Sequence, residues 1–238
     1  MRLFLLLLMG TLVFSSPAIA LAASEEVPKD AKRALHRLKK ESGDTLTVHW
    51  DPKANTPSLL AGNLSKPSKH SPQWIAYEFL NQNKAVYGLS NARTDMKATE
   101  VNRLSDDTIQ VRLQHLLYKT PVWNDGLVVQ MNERGVVLRV EGRIYRDLKK
   151  RTLNRPMHPS FSETKAVELA LAASNMDKAK LGGFSVEMYY HPSIPGTPLI
   201  YAVNLRSADP DEPKQQILIH ALSKRIIEQK TIREKGEP

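Results

Sequence analysis

The chain contains no cysteine in its 238 residues, and aromatic residues make up only 6% of it. The absence of cysteine excludes disulfide bonds, a thiol nucleophile and a lipid-modified cysteine. Hydrophobic residues nevertheless make up 41% of the chain, which is enough to form a buried core. The sequence therefore predicts a globular fold whose stability comes from apolar burial.

Residue patterns of the common catalytic sites are also missing. The seven histidines never occur in the His-Glu-x-x-His spacing that places two zinc ligands on one helix face. No Gly-x-Ser-x-Gly elbow or glycine-rich nucleotide loop occurs. Acidic residues cluster at 106–107 and 209–212, but hairpin turns account for them and neither cluster has the spacing of a calcium loop. We therefore predict a protein that is not an enzyme, with no catalytic, cofactor-binding or metal-binding residues and no cofactor.

The N-terminus has the pattern of a signal peptide. Arg2 precedes an apolar run that begins at Leu3, and small residues follow the run. Cleavage after Ala20 and cleavage after Ala22 both fit this pattern, and we favour the site after Ala22. Because the run is shorter than the about 20 apolar residues that span a bilayer, we expect cleavage and no stable membrane span afterwards. Residues 1–22 therefore predict a secreted, extracellular protein.

The net charge of +9 is basic, and removal of the leader takes away one arginine and leaves +8. Lysine and arginine cluster at 29–40, 149–151 and 224–235. No aromatic residues interleave with these clusters as single-strand binding requires, so we expect no nucleic-acid partner. An anionic cell-wall polymer, an anionic membrane surface or an acidic protein face fits this charge, and so do solvated helix faces.

Local patterns in the first third of the chain predict two helices and a strand. Apolar residues at helical spacing between 27 and 40 indicate an amphipathic helix or a loosely held arm. A strand is predicted at 45–50, and prolines and a glycine mark 57–70 as an irregular connection. The Ser71-Pro72 step is typical of a helix start, so a helix is predicted from there to about Gly88.

The rest of the chain predicts antiparallel strands, because apolar and polar residues alternate there. Turns are predicted at Asp125-Gly126 and at 132–135. Residues 148–159 are basic and contain two prolines, which predicts an interdomain linker. Beyond it, Ser160 or Ser162 should begin another helix. The predicted strands are 109–113, 116–122, 127–131, 136–144, 184–190, 199–205 and 216–221.

Several segments in order along the chain resemble one protein family. Phe79 to Leu89, Val111 to His115 and the step Pro121-Val122-Trp123 are similar to the propeptide domain of fungalysin and thermolysin metalloproteases, called the FTP domain. Val128 to Gly142 continues this resemblance. Residues 160–230 resemble the PepSY domain that neighbours it, although the closing turn lacks the glycine usual in the family.

The resemblance implies an α+β fold of two units, each a helix packed on an antiparallel sheet, of cystatin-like and PepSY-like type. The predicted domains are a signal peptide at 1–22, an N-terminal arm and lead-in strand at 23–70, an FTP-like propeptide domain at 71–147, a linker at 148–159, a PepSY-like domain at 160–230 and a basic tail at 231–238.

In that family the propeptide assists folding of the metalloprotease domain and inhibits it until cleavage. No protease domain follows within the 238 residues. The resemblance therefore implies a secreted, stand-alone protein that acts in trans as an inhibitor or folding helper of a thermolysin-type (M4-type) zinc metalloprotease. The alternatives are an extracellular or cell-wall binding module and an orphaned propeptide of a truncated protease gene.

Three residues are candidates for contact with a partner: Gln114, Pro121 and Trp123. They belong to the part of the chain where the family resemblance is strongest. Trp123 beside Pro121 fits an exposed anchor, because aromatic residues dominate interface energetics. A core aromatic on a half-buried sheet is the interpretation that the residue type favours, because a tryptophan buries a large apolar area.

Overall fold

The computed structural model describes residues 27–104, 107–174 and 176–232. The predicted signal peptide at 1–22 lies outside these ranges, and so does most of the predicted basic tail. Within the described part of the chain, no helix is long and apolar enough to cross a membrane. The elements are α1 (Lys29–Glu41), β1 (Thr47–Asp51), β2 (Thr56–Ala61), α2 (Pro72–Gln82), α3 (Lys84–Tyr87), α4 (Ala92–Asp95), β3 (Met96–Arg103), β4 (Ile109–Leu117), β5 (Thr120–Met131), β6 (Val137–Arg143), α5 (Leu148–Arg151), α6 (Glu163–Ser174), β7 (Leu181–Tyr190), β8 (Leu199–Ser207), β9 (Lys214–His220) and β10 (Ile226–Ile232).

Amphipathic spacing and capping explain where the first helices form. α1 turns Ala31, Ala34 and Leu38 inward, which are the positions that share one helix face. Before α2, the Ser71 side chain accepts a hydrogen bond from the backbone N–H of Trp74 at 3.3 Å. This cap satisfies one of the amides that a helix start leaves free. The two helices predicted in the first third are confirmed, although the second is interrupted between α2 and α3.

Arg146 fastens α1 to the rest of the molecule. Its Nη2 lies 2.6 Å from Oδ2 of Asp30 in α1, and its Nη1 donates to the carbonyl oxygen of Ala85 in α3 at 2.8 Å. Arg146 is only 8% exposed, so the guanidinium end of these charge-assisted bonds is shielded from water, while the Asp30 side chain is 52% exposed. α1 is therefore a docked helix and not a loosely held arm.

The first six strands form an antiparallel arrangement in the order β1-β2-β6-β5-β4-β3. The prediction of an irregular connection at 57–70 is wrong at its start, because β2 occupies 56–61 between β1 and β6. Pro57 is tolerated near the beginning of β2, where it faces Trp50 beside a register shift in β1. β3 was not predicted at all, since its mostly exposed side chains give no alternation.

The predicted turn at Asp125-Gly126 is also wrong. The chain turns instead at Tyr118 and Lys119, whose φ angles of 51° and 70° are the positive values that a two-residue hairpin needs. Asp125 and Gly126 lie inside β5. The Asp-Gly pair is a strong hairpin signal, but here it serves a bulge within a strand. The hairpin loop predicted at 132–135 is confirmed.

The last four strands follow α6 in the order β7-β8-β9-β10, with antiparallel neighbours. The Ser162 side chain accepts a hydrogen bond from the Lys165 N–H, as the predicted helix start requires. One parallel bridge joins the two groups of strands, between Val122 of β5 and Tyr190 of β7. All strands of the described residues thereby belong to one curled sheet.

Two large apolar clusters stabilise the fold. One packs α1 to α4 against β1 to β6, and the other packs α6 against β7 to β10. The second cluster also contains Tyr145, which precedes the predicted linker, and Leu148, which is the first residue of that linker. The α+β class is therefore confirmed. The division into two units, and the role of 148–159 as a linker, stay predictions because the sheet and the second cluster run across that boundary.

Candidate partner-binding site

The three candidate residues lie together on the hairpin of β4 and β5. Gln114 faces Gly126 and Leu116 faces Pro121, so His115 alone faces the four residues from 122 to 125. These four residues form a wide bulge, which we call the β5 bulge. The bulge is the part of β5 that reaches the second group of strands through the bridge at residue 122.

Glycine at two positions lets the backbones approach closely beside the β5 bulge. A Cβ atom at Gly126 would lie 2.5 Å from the carbonyl oxygen of Leu113. Gly142 of β6 has a φ of 133°, and a Cβ there would lie 2.2 Å from the carbonyl oxygen of Gly126. Both distances are too short for any other residue, so the bulge depends on these glycines.

Gln114 holds the β5 bulge in shape from inside the hairpin. Its side-chain Nε2 donates to the carbonyl oxygens of Val122 at 2.8 Å, Asp125 at 2.9 Å and His115 at 3.1 Å. These carbonyl groups lie where the pairing of β4 with β5 is interrupted, and the amide provides hydrogen bonds to them there. The structure thus places the amide of Gln114 in internal contacts, although its half-buried side chain also borders a shallow cleft of about 250 Å³.

Pro121 and Trp123 flank the residue that bridges to β7. Pro121 is half-buried opposite Leu116. Trp123 is also half-buried, and its ring meets the ring of Tyr189 edge-on with centroids 4.9 Å apart. This edge-to-face geometry is favourable for aromatic pairs. Trp123 is therefore a packed aromatic that keeps part of its surface open to solvent.

Trp123 belongs to a small apolar surface on the side of the second group of strands away from α6. Three side chains at its base are almost fully buried, and three partly exposed ones cover them. We call this surface the aromatic face. The buried members are Ile200, Ala202 and Leu218, and the partly exposed members are Trp123, Tyr189 and Ile227.

The Tyr189 hydroxyl stays a hydrogen-bond donor over the whole physiological pH range. Burial raises the pKa of Tyr189 well above its ordinary value, and the hydrogen bond that it donates to the carboxylate of Glu187 raises it further. The aromatic face therefore carries a neutral phenol held in place beside a carboxylate. An apolar surface with a fixed polar rim is typical of protein interfaces.

Sequence reasoning missed a buried ionisable pair behind the β5 bulge. Nδ1 of His115 lies 3.2 Å from Oδ2 of Asp125, whose side chain is 0% exposed. The same carboxylate oxygen accepts the backbone N–H of Tyr145 at 2.9 Å. The available signal was His115 itself, which continues the inward row of Ile109 and its apolar neighbours in β4. An inward-facing histidine in such a row needs a buried partner.

Across residues 27–104, 107–174 and 176–232, no three histidine, aspartate or glutamate side chains come together in a way that would hold a metal ion. The acidic segment at 209–212 forms the expected turn, in which Oδ1 of Asp209 accepts the N–H of Asp211 at 3.0 Å. The described residues do bring together an apolar and aromatic surface, the aromatic face.

Comparisons with known proteins agree with part of the family resemblance. No protein-family model matches the chain. Bacillolysin of Bacillus cereus is 23% identical to it over 189 residues, which are 76% of this chain and 32% of bacillolysin. The chain thus spans about a third of the length of that curated relative. Among solved structures, the YpeB C-terminal domain of Bacillus megaterium matches 88% of this chain and 100% of that domain with a TM-score of 0.37 and 13% identity.

Proposed function

We propose that this protein is exported through its leader at residues 1–22 and acts as a propeptide-like partner of an M4-type zinc metalloprotease. It binds the protease as a separate molecule and either inhibits it or helps it to fold. The observation that carries the proposal is the similarity to bacillolysin, which covers 76% of this chain but only 32% of bacillolysin. The resemblance of residues 71–147 to the FTP propeptide domain also supports a propeptide-like role.

The aromatic face is the surface that we assign to the protease. Interfaces of protease–inhibitor pairs bury about 800 Å² on each partner, and their energy is concentrated in a few aromatic and arginine side chains. Trp123 and Tyr189 offer two such aromatics, already held in one orientation by their mutual contact. Because their conformations are fixed before binding, little side-chain entropy is lost on association.

An inhibitor and a folding helper differ in the state of the protease that they bind. An inhibitor covers the catalytic cleft of the folded protease and prevents substrate from entering. A folding helper binds more tightly to the transition state of folding than to the unfolded chain, which speeds folding. Both roles need the same kind of preformed surface, so one set of variants tests both.

We expect the purified protein to lower the activity of an M4-type protease or to raise its refolding yield. Replacement of Trp123 by alanine should weaken the effect at least about tenfold, the size expected for an aromatic hot spot. The measurement is hydrolysis of a peptide substrate, and recovery of activity after dilution from denaturant, as a function of added protein.

Trp74→Ala is the matched control for that experiment. Trp74 is also half-buried, but it lies on α2 with its ring against His70, at a centroid distance of 3.9 Å, and outside the aromatic face. This variant should act like the unchanged protein, with circular dichroism confirming that both variants are folded. Unchanged protease activity together with unchanged refolding yield at micromolar protein would rule the proposal out.

A second candidate function, binding to an anionic cell-wall polymer, is favoured by the outer face of α1. The helix buries its apolar residues, and its cationic residues are all exposed, against two acidic ones. Such a face attracts a polyanion through long-range electrostatics. The cationic residues are Lys29, Lys32, Arg33, Arg37, Lys39 and Lys40.

This second function predicts retention on cell-wall material that falls as salt is raised, because salt screens exposed charges. The double variant Arg33→Glu and Lys40→Glu should lose retention in a sedimentation assay. The double variant Lys97→Glu and Arg103→Glu, which makes the same charge change on β3, should keep it. Retention that does not respond to salt, or that both variants lose equally, would contradict wall binding by α1.

A further inference from the structure

The strand β7 has a backbone edge that is open over most of its length. On one side it pairs with β8 from Leu181 to Tyr190. On the other side only Tyr190 is paired, with Val122 of β5. Among the described residues, no other strand pairs with that side of β7. We call residues 181–188, on the side away from β8, the β7 edge.

The other strands at the ends of the sheet carry features that discourage further pairing, and the β7 edge has few of them. β1 is short and has a register shift in its middle. β3 and β10 each have a register shift as well, and both carry lysine. Bulges and lysines of this kind keep edge strands from joining other strands. In the β7 edge the irregularity is confined to 181–183, and Glu187 is the single charged residue.

The side chains of the β7 edge alternate in a way that complements itself. Phe184 is 58% exposed, and Val186 on the same face of the strand is half-buried. Ser185 and Glu187 occupy the other face. If two copies of this strand run antiparallel about Ser185, each Phe184 stands opposite the partner's Val186. Facing residues in an antiparallel pair lie on the same side of the sheet, so these apolar side chains would meet.

The charges also fit this register. Each Glu187 would stand opposite the partner's Gly183, so the two carboxylates do not face one another. Within one chain, Tyr189 contacts Trp123 and Tyr190 pairs with Val122. A dimer that pairs only residues 183–187 does not disturb these contacts. A symmetric dimer uses the same patch on both copies, and a strand with this pattern meets that requirement.

We propose that two copies of this chain associate through the β7 edge as an antiparallel strand pair, with the two-fold axis at Ser185. The occupant of the edge is therefore a second copy of the same protein. The contact covers only about five residues on each copy. Because small interfaces bind weakly, the dimer should have a dissociation constant in the micromolar range. The dimer does not depend on the proposed binding of a protease.

Sedimentation equilibrium over a range of protein concentrations tests this dimer. The unchanged protein should shift from monomer to dimer as concentration rises through the micromolar range. Phe184→Lys places a charge in the edge and should weaken dimerisation at least about tenfold. Val101→Lys makes the same change at a 44% exposed valine of β3 and should leave the dimer intact. A protein that stays monomeric at all concentrations, or a dimer that survives Phe184→Lys, would overturn the proposal.

The absence of cysteine in the chain permits a second, geometric test. Facing residues of an antiparallel pair have Cα atoms about 4.5–5.5 Å apart, which lies within the range that a disulfide spans. Ser185→Cys should therefore form a covalent dimer under mild oxidation. Lys97→Cys, on the β3 edge, should not. Equal cross-linking of both variants, or none at residue 185, would show that the axis does not lie there.

Discussion

Replacement of Gln114 by glutamate is expected to lower the free energy of unfolding by about 3 kcal/mol, because buried hydrogen-bond groups are left unpaired. In the unchanged protein, Nε2 of Gln114 donates hydrogen bonds to the carbonyl oxygens of Val122 and Asp125 at 2.8 and 2.9 Å. The carboxylate of the variant has nearly the shape of the amide, but it places an oxygen where Nε2 was. Acceptor then faces acceptor, and the β5 bulge loses the group that holds it. Urea denaturation, monitored by tryptophan fluorescence, measures the change in the free energy of unfolding.

Gln110→Glu is the matched control for this prediction. Gln110 lies four residues earlier on β4, points to the same face and is half-buried as well. Its side chain has no hydrogen bond to a described residue, so the same chemical change should cost less than about 1 kcal/mol. Equal losses in the two variants would show that Gln114 does not brace the bulge. A loss of protease binding without a loss of stability would instead make Gln114 a direct contact.

Replacement of Asp125 by alanine is expected to cost about 3 kcal/mol of stability, because buried polar groups lose the carboxylate that they contact. The variant leaves His115 without the carboxylate that lies 3.2 Å from its Nδ1. It also leaves the backbone N–H of Tyr145, which Asp125 accepts at 2.9 Å, without an acceptor. Thermal and chemical denaturation should both show the loss.

Two further variants make this result specific. Asp125→Asn keeps an oxygen that can accept from Tyr145 and should recover part of the stability. Glu168→Ala removes a carboxylate from an exposed pair with Lys165 on α6 and should leave the denaturation midpoint unchanged, because surface ion pairs contribute little. A mild effect of Asp125→Ala, similar to that of Glu168→Ala, would contradict a structural role for the buried pair.

Sequence patterns predicted the elements whose causes are local. The cap at Ser71 and the cap at Ser162 act on backbone N–H groups three residues away, so the helices that they begin are readable from short segments. The alternation from Ile109 to Leu113 identified β4 for the same reason. β2 was missed because its existence depends on pairing with β6, about 80 residues further along the chain.

The Asp125-Gly126 pair shows why a strong local signal can fail. Asp-Gly favours a hairpin turn, but the buried contacts of Asp125 with His115 and Tyr145 hold this segment as a bulge within β5. The hairpin turn lies instead at Tyr118 and Lys119, although neither residue is a glycine. Tertiary contacts therefore outweighed local preference at this position.

The candidate site was predictable only in part. Gln114, Pro121 and Trp123 are close in sequence, and the family resemblance brought them together. Their companions in the aromatic face, Tyr189 and Ile227, come from β7 and β10. No sequence pattern joins residues so far apart, because the fold of the intervening chain decides whether they meet. The assignment of these residues to a partner stays a prediction.

The most direct test of the central claim is a titration of the purified protein into an M4-type metalloprotease, with the heat of binding measured by isothermal calorimetry. Binding of a propeptide-like partner predicts a saturable one-to-one complex with a micromolar or smaller dissociation constant. Trp123→Ala should weaken that complex at least about tenfold, and Trp74→Ala should not. No detectable complex with the folded or the refolding protease would contradict the account.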